Sequence, residues 1–258
     1  RRMNAHVRRL WIGGVVLAAG AMATPALAED PYELAWISQI GTSGHDISRS
    51  VALDSLGNVY ISGGTTGNLA AVNVGGIDDL FLSKFDAAGN HLWSQQIGTL
   101  QSDRSYSVAI DGLGNPYISG FTDGNIAKPS NSNHDVVLIK YDSAGNHLWS
   151  QQIGTGNGDV SLSLAVDVVG NAWISGYSNG DLGGPNAGNS DAILAKFDAA
   201  GNHLWTQQFG TSSLDLGTAV AVDHLGNAYI SGPTLGSLGG PNAGQSDAFL
   251  SKFDAAGN

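Results

Sequence analysis

Phe85-Asp86-Ala87-Ala88-Gly89-Asn90-His91-Leu92-Trp93-Ser94-Gln95-Gln96-Ile97-Gly98 is the stretch that decides the fold of this chain. It returns almost letter for letter at 141–154 and 197–210, and it begins a fourth time at Phe253. Two apolar runs flank Asp-x-x-Gly-Asn. The Asp carboxylate can accept hydrogen bonds from the backbone two residues on. The Gly can take the left-handed conformation of a type I turn closed by a bulge. The same five-residue motif starts at Asp54, Asp111, Asp167 and Asp223, and again at Asp86, Asp142, Asp198 and Asp254. Eight such turns between apolar runs spell hairpins.

The Trp of the quoted stretch recurs at Trp36, Trp93, Trp149 and Trp205, with spacings of 57, 56 and 56 residues. Each repeat holds two tight turns and so four strands, which in the first complete copy fall at 50–54, 59–63, 80–86 and 91–98. A longer loop (64–79) separates the two hairpins, and a short connection (99–103) leads to the next repeat. Four antiparallel strands per repeat of about 56 residues is the blade of a β-propeller. A β-solenoid is disfavoured because its rungs are shorter and its strands parallel. With 37 Gly in 258 residues and no helix-period apolar spacing after residue 30, the chain reads as all-β.

Residues 50–63, Ser-Val-Ala-Leu-Asp-Ser-Leu-Gly-Asn-Val-Tyr-Ile-Ser-Gly, followed by the Phe-Leu-Ser-Lys-Phe-Asp hairpin, resemble the SBBP β-propeller repeat of exported bacterial proteins. The likeness runs over 34–258. More distantly, Asp-x-x-Gly-Asn-x-Tyr is similar to NHL repeats, and the Trp-bearing hairpin is similar to that of PQQ-type propeller repeats. The resemblance implies an inner strand at 50–54 and an outer one at 91–98. The blades then fall at 46–98, 103–154, 159–210 and 215–254, the last closed by residues 34–41 acting as its missing outer strand. Closure of that kind hides sheet edges. The chain ends at Asn258 inside the repeated motif, so it reads as a fragment of a larger propeller in preference to a complete four-bladed, monomeric ring.

Residues 1–28 differ in kind. Arg8 and Arg9 precede an apolar run, and Ala26-Leu27-Ala28 is a small-x-small cleavage site. This is the pattern of a secretory signal peptide, which leaves a propeller domain at 29–258 and no transmembrane helix after cleavage. The expected location is periplasmic, secreted or cell-surface. The leader holds four of the 11 basic and none of the 22 acidic residues, so 29–258 carries seven bases against 22 acids, a net charge of −15. Nucleic acid is excluded as a partner on that charge. The chain has no Cys, so no disulfide supports an exported fold.

Sixteen of the 22 acids sit at four repeat positions, and eight of these are the turn Asp already explained. The other eight are Asp46, Asp103, Asp159 and Asp215, which end the inter-blade connection, and Asp79, Asp135, Asp191 and Asp247, which end the long loop. Asp with nearby carbonyls is a calcium-ligating chemistry, but no dense Asp-x-Asp-x-Asp loop occurs, and capping of strand ends is the preferred role. The recurring Trp residues are expected in blade-to-blade packing. The recurring His91, His147 and His203 point apart, on different blades. Lys84, Lys140, Lys196 and Lys252 are expected to pair with nearby Asp or to reach solvent.

Residues that break the repeat are where a ligand site is expected. They include His45, Arg49, Arg104, Tyr106, Lys128, His134 and His224, with Arg104, Tyr106, Lys128 and His134 the candidate ligand-binding set. They form no nucleophile–base pair in sequence, and no catalytic residue or cofactor is assigned. The reading is a non-catalytic binding or structural scaffold that holds a protein or glycan through its long-loop face. The alternatives are a propeller lyase or hydrolase with a loop-face site, and a calcium-stabilised surface repeat protein.

Overall fold

Every Asp-x-x-Gly-Asn motif closes a tight turn, for a local reason. In the quoted stretch Asp86 Oδ1 accepts the amides of Ala88 (2.9 Å) and Asn90 (2.8 Å), while Oδ2 accepts Asn90 Nδ2 (2.8 Å). The Gly89 amide donates to the Asp86 carbonyl at 2.9 Å. All eight turn glycines have φ between +78° and +93°, a region that a side chain resists. The Asn bond also holds the Asp86, Asp142 and Asp198 carboxyls below their ordinary range.

The computed structural model describes residues 33–71, 76–130 and 133–258, and the signal-peptide reading of 1–28 lies outside them. Residues 36–258 form one unit that is all-β, with no helix among the described residues. The first blade is β1 (Asp46–Leu53), β2 (Val59–Thr65), β3 (Asp79–Phe85) and β4 (His91–Ile97). The second is β5 (Asp103–Ile110), β6 (Pro116–Thr122), β7 (Asp135–Tyr141) and β8 (His147–Ile153). The third is β9 (Asp159–Val166), β10 (Ala172–Ser178), β11 (Asp191–Phe197) and β12 (His203–Phe209). The fourth has β13 (Ala219–Val222), β14 (Ala228–Thr234) and β15 (Asp247–Phe253). Each sheet is antiparallel, with its strands in chain order from innermost to outermost. This is the blade of a β-propeller.

The sheets stack face to face, and the core lies between them. One cluster joins Tyr60, Leu80 and Leu82 to Val108, Ile118 and Ile139 across blades one and two. Equivalent clusters join two to three and three to four. The third strands are buried on both faces, so β3, β7 and β11 have no exposed residue.

At the turn end a second set of contacts joins the blades. Trp93 packs on Gly145 of the next blade, where a Cβ would stand 3.0 Å from the ring. Trp36, Trp149 and Trp205 lie on Gly89, Gly201 and Gly257 in the same way. Lys84, Lys140 and Lys196 are buried and donate to the carbonyls of Ser143, Ala199 and Ala255 in the following blade. Each also lies over the Tyr or Trp of its own second strand, at 4.6–5.0 Å. Lys84 and Lys140 also pair with the turn carboxylates of Asp54 (4.0 Å) and Asp111 (3.4 Å), as expected, so these buried lysines are latches between blades.

The structure departs from expectation in two places. The inner strands start at Asp46 and Asp103 rather than near 50 and 107, because a bulge near the fourth residue hides the alternation. Residues 36–41 do not pair with β15. Trp36 Nε1 donates to the Ala87 carbonyl (3.2 Å) and Ser38 Oγ to that of Gly89 (2.5 Å), on the first blade, and the fourth sheet keeps three strands. Val51 on β1 and Leu250 on β15 are exposed, while Val108, Leu138 and Leu194 at the equivalent positions are buried.

Gly114 and Gly145 share a positive φ, but only Gly145 lies under a Trp. We predict that Gly114→Ala costs about 1 kcal/mol in urea denaturation, from the backbone alone. Gly145→Ala should cost about 2–3 kcal/mol, because the Trp93 ring must also move. Equal losses would remove the Trp from the account.

Candidate functional site

The bulge on each innermost strand is built by a glycine on its neighbour. In the Ile-Ser-Gly run of the second strand, a Cβ on Gly63, Gly120, Gly176 or Gly232 would overlap the carbonyl oxygen of Ile47, Arg104, Val160 or Leu216. With no Cβ there, the inner strand presses close and one residue is left outside the ladder. That residue is Arg49, Tyr106 and Leu162 in the first three blades. Serines brace the bulge between blades: Ser50, Ser107 and Ser163 Oγ accept the amides of Val108 (3.1 Å), Leu164 (3.2 Å) and Val220 (3.2 Å).

Around this constant frame the repeats differ. The bulge position reads Arg49, Tyr106, Leu162 and Thr218, and two residues earlier stand Ile47, Arg104, Val160 and Leu216. On the second strand the facing position reads Gly64, Phe121, Tyr177 and Pro233. The residue immediately before β3, β7, β11 and β15 continues the series as Asp78, His134, Ser190 and Ser246.

Three of the four expected ligand-site residues meet here, around Phe121. Arg104 lies over the Phe121 ring at 6.0 Å and bonds through Nε to Asp78 of the preceding blade. Tyr106 packs at 5.9 Å from the Phe121 ring and carries the Arg49 guanidinium at 5.0 Å on its own. His134 stacks on Phe121 at 4.1 Å, with Nδ1 bonded to Asp123. That leaves Nε2 for a further partner. The Asp78 bond keeps Arg104 charged, pushing its pKa up. Burial pushes the Tyr177 hydroxyl up, and the neighbouring Tyr106 and Asp159 add to the shift.

Lys128 does not join them. Its amide, with those of Ile126 and Ala127, faces Gln152 Oε1 on the outermost strand β8. Gln152 Nε2 binds the Gly124 carbonyl (3.0 Å) and Asp135 (2.8 Å), so the long loop is tied to the outer edge, and Lys128 with it. Phe121, Asp78 and Asp123 were not among the expected site residues. Variation at their positions from repeat to repeat is the signal that marks them.

The eight calcium candidates divide into two capping sets. Asp46, Asp103, Asp159 and Asp215 accept the amides of Thr42, Thr99, Thr155 and Thr211 at 2.5–2.6 Å. Asp79, Asp135 and Asp191 accept Gln96, Gln152 and Gln208, and Asp247 accepts the Ala243 amide (2.7 Å). These bonds come from backbone amides, Thr hydroxyls and Gln amides, the donors that cap a carboxylate. Among the described residues no three His, Cys, Asp or Glu side chains converge as a metal site.

Fold and site together define a β-propeller repeat protein whose variable residues cluster on the inner strands. The β-propeller repeat model SBBP matches residues 35–70, 92–127, 148–183 and 204–239, more than half of the chain. The chain belongs to the SBBP β-propeller repeat family. The last three matches each run from an outer strand across the connection into the first two strands of the next blade, and the first runs from ahead of β1 through β2. The regulatory protein FlaEY of Caulobacter vibrioides is 28% identical over 214 residues, 71% of this chain and 22% of that protein. An uncharacterized WD repeat-containing protein of Acanthamoeba polyphaga mimivirus is 24% identical over 182 residues, 55% of this chain and 13% of that one. The chain thus spans less than a quarter of either relative. A Bacteroides caccae protein of unknown function, known from a crystal structure, is 13% identical with a TM-score of 0.42, covering 86% of this chain and 82% of its own.

Burial pushes the carboxyls of Asp79, Asp103 and Asp159 up, against the bonds from Gln96, Thr122 and Ser178. A raised folded-state pKa contributes stability in acid that is lost as pH rises through it. The turn Asp carboxyls, held low, contribute stability that is lost as pH falls through their range. We predict a melting temperature that rises as pH falls toward 3.8 through the raised carboxyls, and falls again below about pH 3.8 as the turn carboxyls are protonated. Asp103→Asn should flatten the rise on the approach to pH 3.8, whatever its effect on the absolute value, and an unchanged slope would count against it. EDTA is expected to leave the melting temperature unchanged, and a fall of several degrees would restore the calcium reading.

Proposed function

We propose that this protein is a non-catalytic binding scaffold of the exported class, which recognises a protein or glycan through the loop-end residues of its inner strands. One observation carries the reading: the repeats agree along turns, core and latches, and differ where the bulges project. Residues that hold a fold recur in every blade, and a surface that must match one partner does not. Aromatic and Arg side chains are also the types that anchor interfaces. His134 with Asp123 could serve as a base, but Phe121 covers its ring, and no nucleophile stands among its contacts here.

The test is an array of immobilised glycans and peptides probed with residues 29–258. Tyr106→Ala and His134→Ala are expected to abolish the signal. His91→Ala and His203→Ala, which change the opposite, turn end, should leave it intact. Loss of signal in the turn-end variants alone would overturn the reading. For export, N-terminal sequencing of the secreted chain should begin at Glu29, and an uncleaved leader would refute that part.

A further inference from the structure

The seven basic residues of 29–258 are unequally used. Lys84, Lys140 and Lys196 are latches between blades, and Lys252 lies over Tyr229 at 5.4 Å as their counterpart. Only Arg49, Arg104 and Lys128 break the repeat, and both arginines line one cavity of about 240 Å³. The cavity exists because of Gly64. The positions that correspond to it in the other blades are filled by Phe121, Tyr177 and Pro233, while Gly64, with no side chain, lines the cavity beside Asp78 and Arg104.

The charges in this cavity do not cancel. Asp78 neutralises Arg104 and is held by Ser102 Oγ at 2.6 Å. Arg49 is exposed, braced on the Tyr106 ring, and makes no ion pair among the described residues. In a region with 22 acids, that is an unmatched guanidinium held in place by stacking. Its planar fork suits a carboxylate. A polyanion is disfavoured by Asp78 in the wall and by the net charge of the domain. The other polar groups, His45, Thr66 and the spare lone pairs of Asp78, suit hydroxyls, with Ile47 as an apolar floor.

We infer that this cavity binds the carboxylate of an acidic sugar, a uronate residue, with Arg49 as its charge partner and Gly64 as the residue that admits it. The inference rests on the loop-end binding reading and names a ligand class for one part of that surface.

Titration calorimetry of residues 29–258 with glucuronate and galacturonate, against glucose and acetate, tests it. Binding of a uronate with no detectable binding of glucose is expected. Arg49→Gln should weaken it at least about tenfold, the loss of a charge-assisted fork. Gly64→Phe, which fills the cavity and leaves every charge in place, should abolish it. A uronate that binds Arg49→Gln as well as the parent, or acetate that binds as tightly as the uronates, would overturn the inference. No uronate binding by a chain that still gives a Tyr106-dependent array signal would overturn it too, and would leave the broader reading standing.

Discussion

The fit of a tryptophan against a glycine turn in the next blade is the contact on which this structure depends. Each complete blade alone is a four-stranded ribbon with apolar residues on both faces, which are covered by packing against neighbouring sheets. The Trp–Gly contact sets how the next sheet lies at the turn end, and the lysine latch fixes the same junction with a buried charge. That charge tolerates burial because a carbonyl accepts from it and an aromatic face lies beneath it. With the turn ends joined, Leu80, Leu82, Ile118 and Ile139 come within packing distance and the inter-blade core forms.

At the other end the constraint is reversed. The junction there is polar, made of serines, capping aspartates and the Gln-tied loops. Several capping carboxylates carry a buried oxygen without a hydrogen-bond donor, those of Asp79, Asp135 and Asp191 among them. That is a costly arrangement, tolerated beside a well-packed core, and it holds the loop ends in one place. The residues that vary between repeats stand on this frame, at the end of each blade opposite the turns.

The turns were legible in sequence because their chemistry is local: one Asp, one Gly and one Asn make the whole motif. Blade order followed from the spacing of Trp36, Trp93, Trp149 and Trp205. The lysine latch was not legible, since Lys84 bonds to a carbonyl at residue 143 that carries no sequence mark. The start of the inner strand was missed because the bulge at Arg49 interrupts a period of two. Of the site, Arg104, Tyr106 and His134 stood out as breaks in the repeat. Lys128 broke it equally well but is tied by its backbone to the outer strand, a placement only the Gln152 contacts reveal. Phe121 was hidden because an aromatic residue in a strand reads as core.

The glycine beneath each bulge bears on how such a chain can evolve. The bulged residue lies outside the ladder, so changing it leaves strand register untouched. Copying a repeat adds a Trp that already fits the next turn and a glycine that already receives the previous Trp. Duplication therefore lengthens the array without requiring a new interface, and later substitution at the bulge can give the copy a specificity of its own. The residue that varies and the glycine that makes room for it lie on neighbouring strands, so the first can change while the second holds the register.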